Sequence, residues 1–426
     1  MERITAVVLG YGQRGSTYAH YAVTHPDEFQ VVAVADATAA KRATAQHLHN
    51  LSDDRVFAEW KDLAAQPKMA DFAIIALQDN MHYEPALALI EKGYNLLLEK
   101  PMAVTPKECK DIAEAAEKKG VKVVVCHVLR FTKFWRAIKD VINQGELGNL
   151  MSIVHMENVG NVHQSHSYVR GNWRNSKEST PMILAKSCHD MDILQWIIGK
   201  DCTKVQSFGA LTHFTPENRP EGAPDRCVDG CPVADTCPYN AYRVYITHKD
   251  APAMNIFRSI IVGTVEECSD EAVLDAITTG PYGRCVYACD NDVVDHQVVN
   301  LEFDGGCTVS FTMNAFNEGG RFIRIFGTKG ELVGDMQACT LQLYSFATKQ
   351  WTTMDLEKIG QGIESGHGGG DTGIMEDILS LLRGEEPSNS VCTVRTSYMN
   401  HLIAFAAEQS RLDGTVIQLQ DYSDAL

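Results

Sequence analysis

The sequence predicts an α/β protein in two parts. Residues 1–126 read as a doubly wound parallel-sheet domain, and residues 127–426 as an α+β domain with a large open, mostly antiparallel sheet. Up to Cys126, short apolar runs alternate with helical stretches. A GxGxxG turn, Gly10 to Gly15, joins the first run to the first helix. Beyond Met151, strands follow one another across Gly-bearing turns without regular helices between them. At 426 residues the chain exceeds one typical core, which also argues for two domains.

Ile4 to Leu9 is apolar throughout and reads as a strand buried on both faces. Ser16 to Val23 reads as a helix, Val31 to Ala35 as a second strand, and Thr38 to Leu48 as an Ala-rich helix. Phe72 to Leu77 is a buried strand, and Glu84 to Lys92 a helix closed by Gly93. The apolar run Asn95 to Leu98 is followed by a helix from Pro106 to Lys119, closed by Gly120, and a strand from Val121 to Cys126. In the second part, Ile153 to Met156, Val205 to Leu211, Val298 to Phe303, Thr308 to Met313 and Phe322 to Phe326 read as strands. Asp304-Gly305-Gly306 and Lys329-Gly330 supply turns. Helices at Lys133 to Gln144, Ser187 to Ile198 and Gly373 to Leu382 are expected to cover that sheet. A last helix, about Thr396 to Arg411, is expected to return to the domain junction.

Strand, glycines, helix, strand and acid in that order form a dinucleotide-binding fingerprint. Gly10 permits the tight turn, Gly12 admits a pyrophosphate to the backbone, and Gly15 lets helix pack on strand. The helix N-terminus favours an anion. Asp36, at the end of the second strand, is placed to accept hydrogen bonds from ribose hydroxyls and to repel a 2′-phosphate. NAD is therefore expected over NADP, although Lys41 and Arg42 lie within reach of a phosphate.

Composition excludes other partners. The net charge of −17, with no basic stripe, argues against nucleic acid and anionic membrane surfaces. No apolar stretch is long enough to span a bilayer. The first strand begins at Ile4, which leaves no room for a signal peptide, and 13 scattered cysteines suggest reduced thiols. A cytoplasmic protein is expected.

Glu99-Lys100-Pro101 directly follows the Asn95 to Leu98 strand. Ligands of open parallel sheets bind beyond the carboxyl ends of the strands, so Lys100 is aimed at the dinucleotide site. A second constellation is Ala185-Lys186-Ser187-Cys188-His189-Asp190-Met191-Asp192. Ser187 and Asp190 have capping-box spacing, which places His189 in the first helical turn. The positive end of the helix dipole favours neutral imidazole, a proton acceptor.

These motifs resemble those of the glucose–fructose oxidoreductase and inositol dehydrogenase (Gfo/Idh/MocA) family. The resemblance runs from Gly10 through Glu99-Lys100-Pro101 to His189 and, more loosely, across the second sheet. It implies a Rossmann domain joined to an α/β domain, a homodimer or homotetramer formed through that sheet, and NAD(P)-linked chemistry on hydroxyls. Carried over, Lys100 bonds the reacting hydroxyl, His189 is the general base, and Lys186 assumes part of the role of an Asp that many members carry where Ala185 stands. Cofactor contacts fall to Gly10, Tyr11, Gly12, Gln13, Arg14, Gly15, Asp36, Gln78, His82, Glu99 and Lys100. Leu77-Gln78 replaces a common Thr-Pro.

The segment His166 to Arg174 is dense in groups that bind sugars. Tyr168 and Trp173 offer faces for pyranose C–H surfaces, and Arg174 offers hydroxyl contacts, with Arg130 joining them at the crossover. Gly366 to Asp371 is a glycine-rich loop ahead of a helix, with Asp371 a candidate N-cap. Cys227-x3-Cys231-x5-Cys237-Pro238, within an insertion at about residues 217–240, has metal-like crowding. Cys202, Cys285 and Cys289 are candidates for a fourth ligand. Unliganded thiols are the default, and no metal ligand is assigned.

The reading that results is an NAD-dependent oxidoreductase acting on a hydroxyl of a sugar, sugar derivative or cyclitol. The alternative is a glycoside-cleaving enzyme using tightly bound NAD in an oxidation–elimination–hydration–reduction cycle. A third is a non-catalytic NAD-binding regulator.

Overall fold

The computed structural model describes residues 3–251, 253–264, 268–354, 356 and 370–426. The first sheet has six parallel strands: β1 (Ile4–Leu9), β2 (Phe29–Ala35), β3 (Val56–Phe57), β4 (Phe72–Ile75), β5 (Asn95–Leu98) and β6 (Val123–Val125). Their order, β3-β2-β1-β4-β5-β6, is the doubly wound order with a switch point between β1 and β4. Helices α1 (Gln13–Ala19), α2 (Tyr83–Glu91) and α3 (Pro106–Lys119) cover its faces. β4 is buried along its whole length, which is why it reads as a continuous apolar run. Thr105 caps α3 through a capping box with Glu108, and Gly120 closes it at φ +72°.

The second sheet has nine strands. They are β7 (Leu150–Asn158), β8 (Cys202–Ala210), β9 (His296–Phe303), β10 (Thr308–Asn314), β11 (Gly320–Gly327), β12 (Gly330–Asp335), β13 (Thr340–Ser345), β14 (Gln350–Met354) and β15 (Ile417–Gln418). The order is β14-β13-β12-β11-β7-β10-β9-β8-β15, antiparallel except for the central β7–β10 pair. Ile153, His155 and Glu157 of β7 point to the covered face, beneath α4 (Lys133–Asn143) and α5 (Cys188–Ile198).

Three expectations need correction. Helix α6 (Gly370–Arg383) does not cover the second sheet. Its Ile374, Met375, Ile378 and Leu379 join the core of Ile4, Ala6, Val8 and Ile74 in the first domain. The second sheet is instead covered by α4, α5 and α7 (Val394–Asp413), whose buried Leu402 and Phe405 enter its core. The insertion also extends beyond residue 240. Helices at Met254–Val262 and Asp270–Thr279 share an apolar cluster with Tyr245 and Tyr282. Finally, no capping box forms at α5: Ser187 is the N-cap, but its side chain makes no cap hydrogen bond. The Asp190 carboxylate is drawn to Arg321 and His155 instead.

Candidate active site

The glycine loop has the shape of a dinucleotide cradle. Gly10 has φ +86°, and a Cβ there would stand 2.4 Å from the Ala76 carbonyl oxygen. A Cβ on Gly15 would stand 1.9 Å from the Gly10 oxygen, so only glycine lets α1 approach β1. Gly12 differs: around its missing Cβ only the Lys41 ammonium comes within reach, at 4.0 Å. That open cradle at the N-cap of α1 fits a pyrophosphate, with Lys41 beside it. Asp36 is held in place by the main-chain N–H of Tyr11 at 2.7 Å and of Thr38 at 2.8 Å. Each carboxylate oxygen keeps a free lone pair for a ribose hydroxyl. Arg42 donates to the carbonyls of Asp36 and Ala37.

Several expected cofactor contacts face inward instead. The Tyr11 ring is buried and its hydroxyl meets His49 Nε2 at 2.9 Å; burial pushes its phenol up to about 12. Arg14 donates to Glu99 at 2.8 Å, to Asp371 at 2.6 Å, and to the Tyr18 hydroxyl. Asp371 lies in the first turn of α6, with its carboxylate turned toward Arg14. Gly366 to Gly369 lie outside the described residues. Glu99 accepts from Arg14, from Tyr18 at 2.7 Å and from the Lys100 N–H at 2.9 Å. The neighbouring Arg14 charge holds its carboxyl below the usual range despite burial. His82 is buried between the Pro101 and Leu77 carbonyls, at 2.8 and 3.1 Å, and so ties the loop after β4 to the loop after β5. Gln13 and Gln78 are exposed.

Lys100 reaches across the domain junction. Its Nζ donates to the Ala185 carbonyl at 3.0 Å and makes no ion pair among the described residues. Its peptide bond with Pro101 is cis. Four residues after Ala185, His189 occupies the first turn of α5, with its ring 6.0 Å from that of His127. Lys186 is anchored on the sheet: its Nζ stands 3.3 Å from Glu157, which also receives Arg321 at 2.7 Å. Arg321 bridges to Asp190 at 2.8 Å, and Asp190 also meets His155 Nε2 at 2.8 Å. Burial pushes the Lys186 amine down and the Glu157 carboxyl up, while Arg321 and His155 hold the Asp190 carboxyl well below its usual range.

The expected substrate residues separate. Trp173 donates its indole N–H to Asp79 at 2.9 Å, and its ring lies 6.1 Å from that of Tyr168. Arg130 and Arg174 are engaged elsewhere. Arg130 is 2% exposed and forks onto Asp192 at 2.8 and 2.6 Å. Arg174 forks onto Asp290 at 2.8 and 3.0 Å.

Sequence reasoning missed Glu157, Arg321 and His163. Burial and the nearby charges of Lys186 and Lys100 keep His163 neutral, well below its usual value. The signal for Glu157 was available: it shares the inward parity of Ile153 and His155 on β7.

Two family models match the chain: an oxidoreductase family NAD-binding Rossmann fold over residues 4–127, and an oxidoreductase family C-terminal alpha/beta domain over residues 139–419. The chain belongs to the Gfo/Idh/MocA family. Its first domain is accordingly an NAD-binding Rossmann fold. Among curated relatives it is similar to the NADP(+)-linked scyllo-inositol 2-dehydrogenase IolW of Bacillus subtilis, 27% identical over 35% of this chain and 40% of the relative. It is similar too to inositol 2-dehydrogenase of Salmonella typhimurium, 25% identical over 48% and 57%. The chain thus spans about half the length of these two Gfo/Idh/MocA relatives. Among solved structures, levoglucosan dehydrogenase in complex with NADH superposes with a TM-score of 0.71 at 16% identity, covering 98% of this chain and 99% of that one. At that identity the likeness shows the fold alone. No helix among the described residues is long and apolar enough to cross a membrane.

Proposed function

We propose that this Gfo/Idh/MocA protein is an NAD-dependent dehydrogenase of a hydroxyl on a sugar, sugar derivative or cyclitol. The observation that carries this reading is Lys100, an ammonium without a carboxylate partner among the described residues, whose Nζ bonds the Ala185 carbonyl at the domain junction, four residues before His189 in the chain. An ammonium held by a carbonyl keeps donors for a substrate hydroxyl. By bonding the hydroxyl oxygen it stabilises the alkoxide character that develops as the O–H proton leaves. His189 takes that proton at the N-terminal turn of α5. NAD, when bound, supplies the hydride acceptor. Asp36 selects NAD by binding the ribose hydroxyls and repelling a 2′-phosphate. Trp173, fixed by Asp79, and Tyr168 supply apolar faces for the substrate ring. The inositol dehydrogenases among the relatives support the substrate class.

A specific observation favours one second reading, the glycoside-cleaving cycle. Half-buried Lys186, on the same segment as His189, and buried Glu157 form an acid–base pair, with the two groups displaced toward their neutral forms. The deciding assay incubates the protein with free sugars, cyclitols and nitrophenyl glycosides, with and without NAD. NADH accumulating in proportion to oxidised substrate supports the dehydrogenase. Nitrophenol released over many turnovers without net NADH supports the glycosidase. Neither product from any substrate leaves the regulator.

A further inference from the structure

Away from the domain junction, the Cys227, Cys231 and Cys237 cluster meets Cys285, from a later segment, around one small cavity. Cys227, Cys231, Cys237 and Cys285 line it, together with Arg170 and Tyr239. The backbone brings them there. Cys227 N–H donates to the Gly283 carbonyl and Cys285 N–H to the Asp225 carbonyl, so the two cysteines lie on paired extended segments. Cys231 and Cys237 flank a tight turn, in which the Cys237 N–H donates to Val233 and the Ala234 N–H to Cys231. Paired knuckles of this kind present thiols to a common centre.

Arg170 points independently to an anionic occupant. Its guanidinium is fully buried and pairs with no carboxylate among the described residues. Nε donates to the Arg284 carbonyl at 2.7 Å, and one terminal nitrogen to the Tyr239 carbonyl at 2.6 Å and the Cys227 sulfur at 3.6 Å. The other terminal nitrogen is buried without a partner. A permanently charged group removed from water needs a counter-charge. Neutral thiols do not provide one; metal-bound thiolates do.

We propose that Cys227, Cys231, Cys237 and Cys285 are the four thiolate ligands of a metal centre whose negative charge is balanced by Arg170. Binding converts four thiols to thiolates and releases their protons to solvent. Cys202 is excluded, because it lies at the start of β8 with its sulfur turned to the Lys204 carbonyl. Cys289 packs beside Cys237 and Cys285 but does not line the cavity. No three of the four sulfurs lie mutually within 4.8 Å. Zinc, with Zn–S bonds of about 2.3 Å, draws its sulfurs to about 3.8 Å apart. An iron–sulfur cluster is a larger core held by the same four-thiolate chemistry. The centre would brace the segment from Gln164 to Arg170, which carries Tyr168 toward the substrate side.

The test is metal and acid-labile sulfide analysis of the full-length protein, purified without oxygen from cells supplied with iron and zinc. About four irons and four sulfides per chain, with visible charge-transfer absorption, identify a cluster. About one zinc per chain without sulfide identifies a zinc centre; either supports the four-thiolate site. Cys237→Ser and Cys285→Ser should lose the metal, whereas Cys339→Ser, at an exposed turn, should keep it. If the first two variants do not fold, native mass spectrometry of the wild-type protein before and after denaturation gives the same answer. Substoichiometric metal, with all four thiols alkylated in the native protein or paired as disulfides, overturns the proposal.

Discussion

At Lys100 the chain places a cation where a hydroxyl oxygen must be polarised, and gives it a carbonyl partner rather than a carboxylate. Lys100→Ala should cut turnover by about a hundredfold or more, with an unchanged melting temperature. Steady-state kinetics and thermal unfolding on the same preparation check both halves. Asp36 is the second decisive residue. Its carboxylate is oriented by two main-chain N–H groups before any ribose arrives. Asp36→Ala should weaken NADH binding and narrow the preference over NADPH, as read from fluorescence titrations with both nucleotides. An unchanged ratio would mean that the ribose is held elsewhere. The Gly10, Gly12 and Gly15 roles were legible in the sequence because a missing Cβ has local consequences. The inward turn of Tyr11 and Arg14 was not, because their partners His49, Glu99 and Asp371 lie far along the chain.

Helix α5 carries His189 on one turn and two buried carboxylates, Asp190 and Asp192, on the same segment. Each carboxylate binds a different support. Asp190 ties the helix to the sheet through Arg321 and His155. Asp192 ties it to Arg130 and to Asn400 of α7. Asp192→Ala should therefore destabilise the protein by about 3–5 kcal/mol, since it strands a buried guanidinium. Replacing both partners, as Asp192→Leu with Arg130→Met, should cost less than Asp192→Ala alone, as measured by urea unfolding. The sequence placed this helix to within a residue, its start from a capping-box spacing that forms no cap hydrogen bond and its continuation from the apolar face. It did not reveal that Arg130 serves the helix and not the substrate, because a charged residue after a strand reads the same in both cases.

Across the whole molecule, the buried His127, His166 and His401 and the half-buried His163 are held neutral. Burial pushes His166 and His401 down to about 3. His401 also accepts a hydrogen bond from the Met102 N–H through Nε2, which protonation would break. The sign follows from linkage. Between about pH 6.5 and 3 the unfolded chain binds protons that the folded chain does not, so stability falls as pH falls. The slope should be about 1.4 kcal/mol per pH unit for each imidazole, seen as a lower urea midpoint at pH 5 than at pH 7.5. The open face of the second sheet gives another prediction. Phe208, Val298, Thr312, Met156 and Phe322 form one cross-strand row over β8, β9, β10, β7 and β11. Phe208 is 55% exposed at its edge. With Phe208 and Val298 exposed and Thr312, Met156 and Phe322 half-buried, this mostly apolar row favours association, so the protein should form a homo-oligomer through this face. Phe208→Glu should shift it toward monomer in light scattering after size exclusion, while the wild-type protein stays assembled.

The sequence by itself determined five of the six strands of the first sheet, missing the two-residue edge strand Val56–Phe57, together with the nucleotide cradle and the two segments that carry Lys100 and His189. These depend on local rules: apolar runs, glycine turns, and helix start and stop signals. The tertiary structure alone decided which charges are spent on structure. Lys186 and Arg321 converge on Glu157, and Arg130 is consumed by Asp192. It also moved α6 onto the first domain and brought Cys285 and Arg170 to the Cys227, Cys231 and Cys237 cluster. Such pairings join residues separated by long stretches of chain, and no local propensity encodes them. They form because a buried charge needs a partner, and only the folded chain settles which partner is within reach.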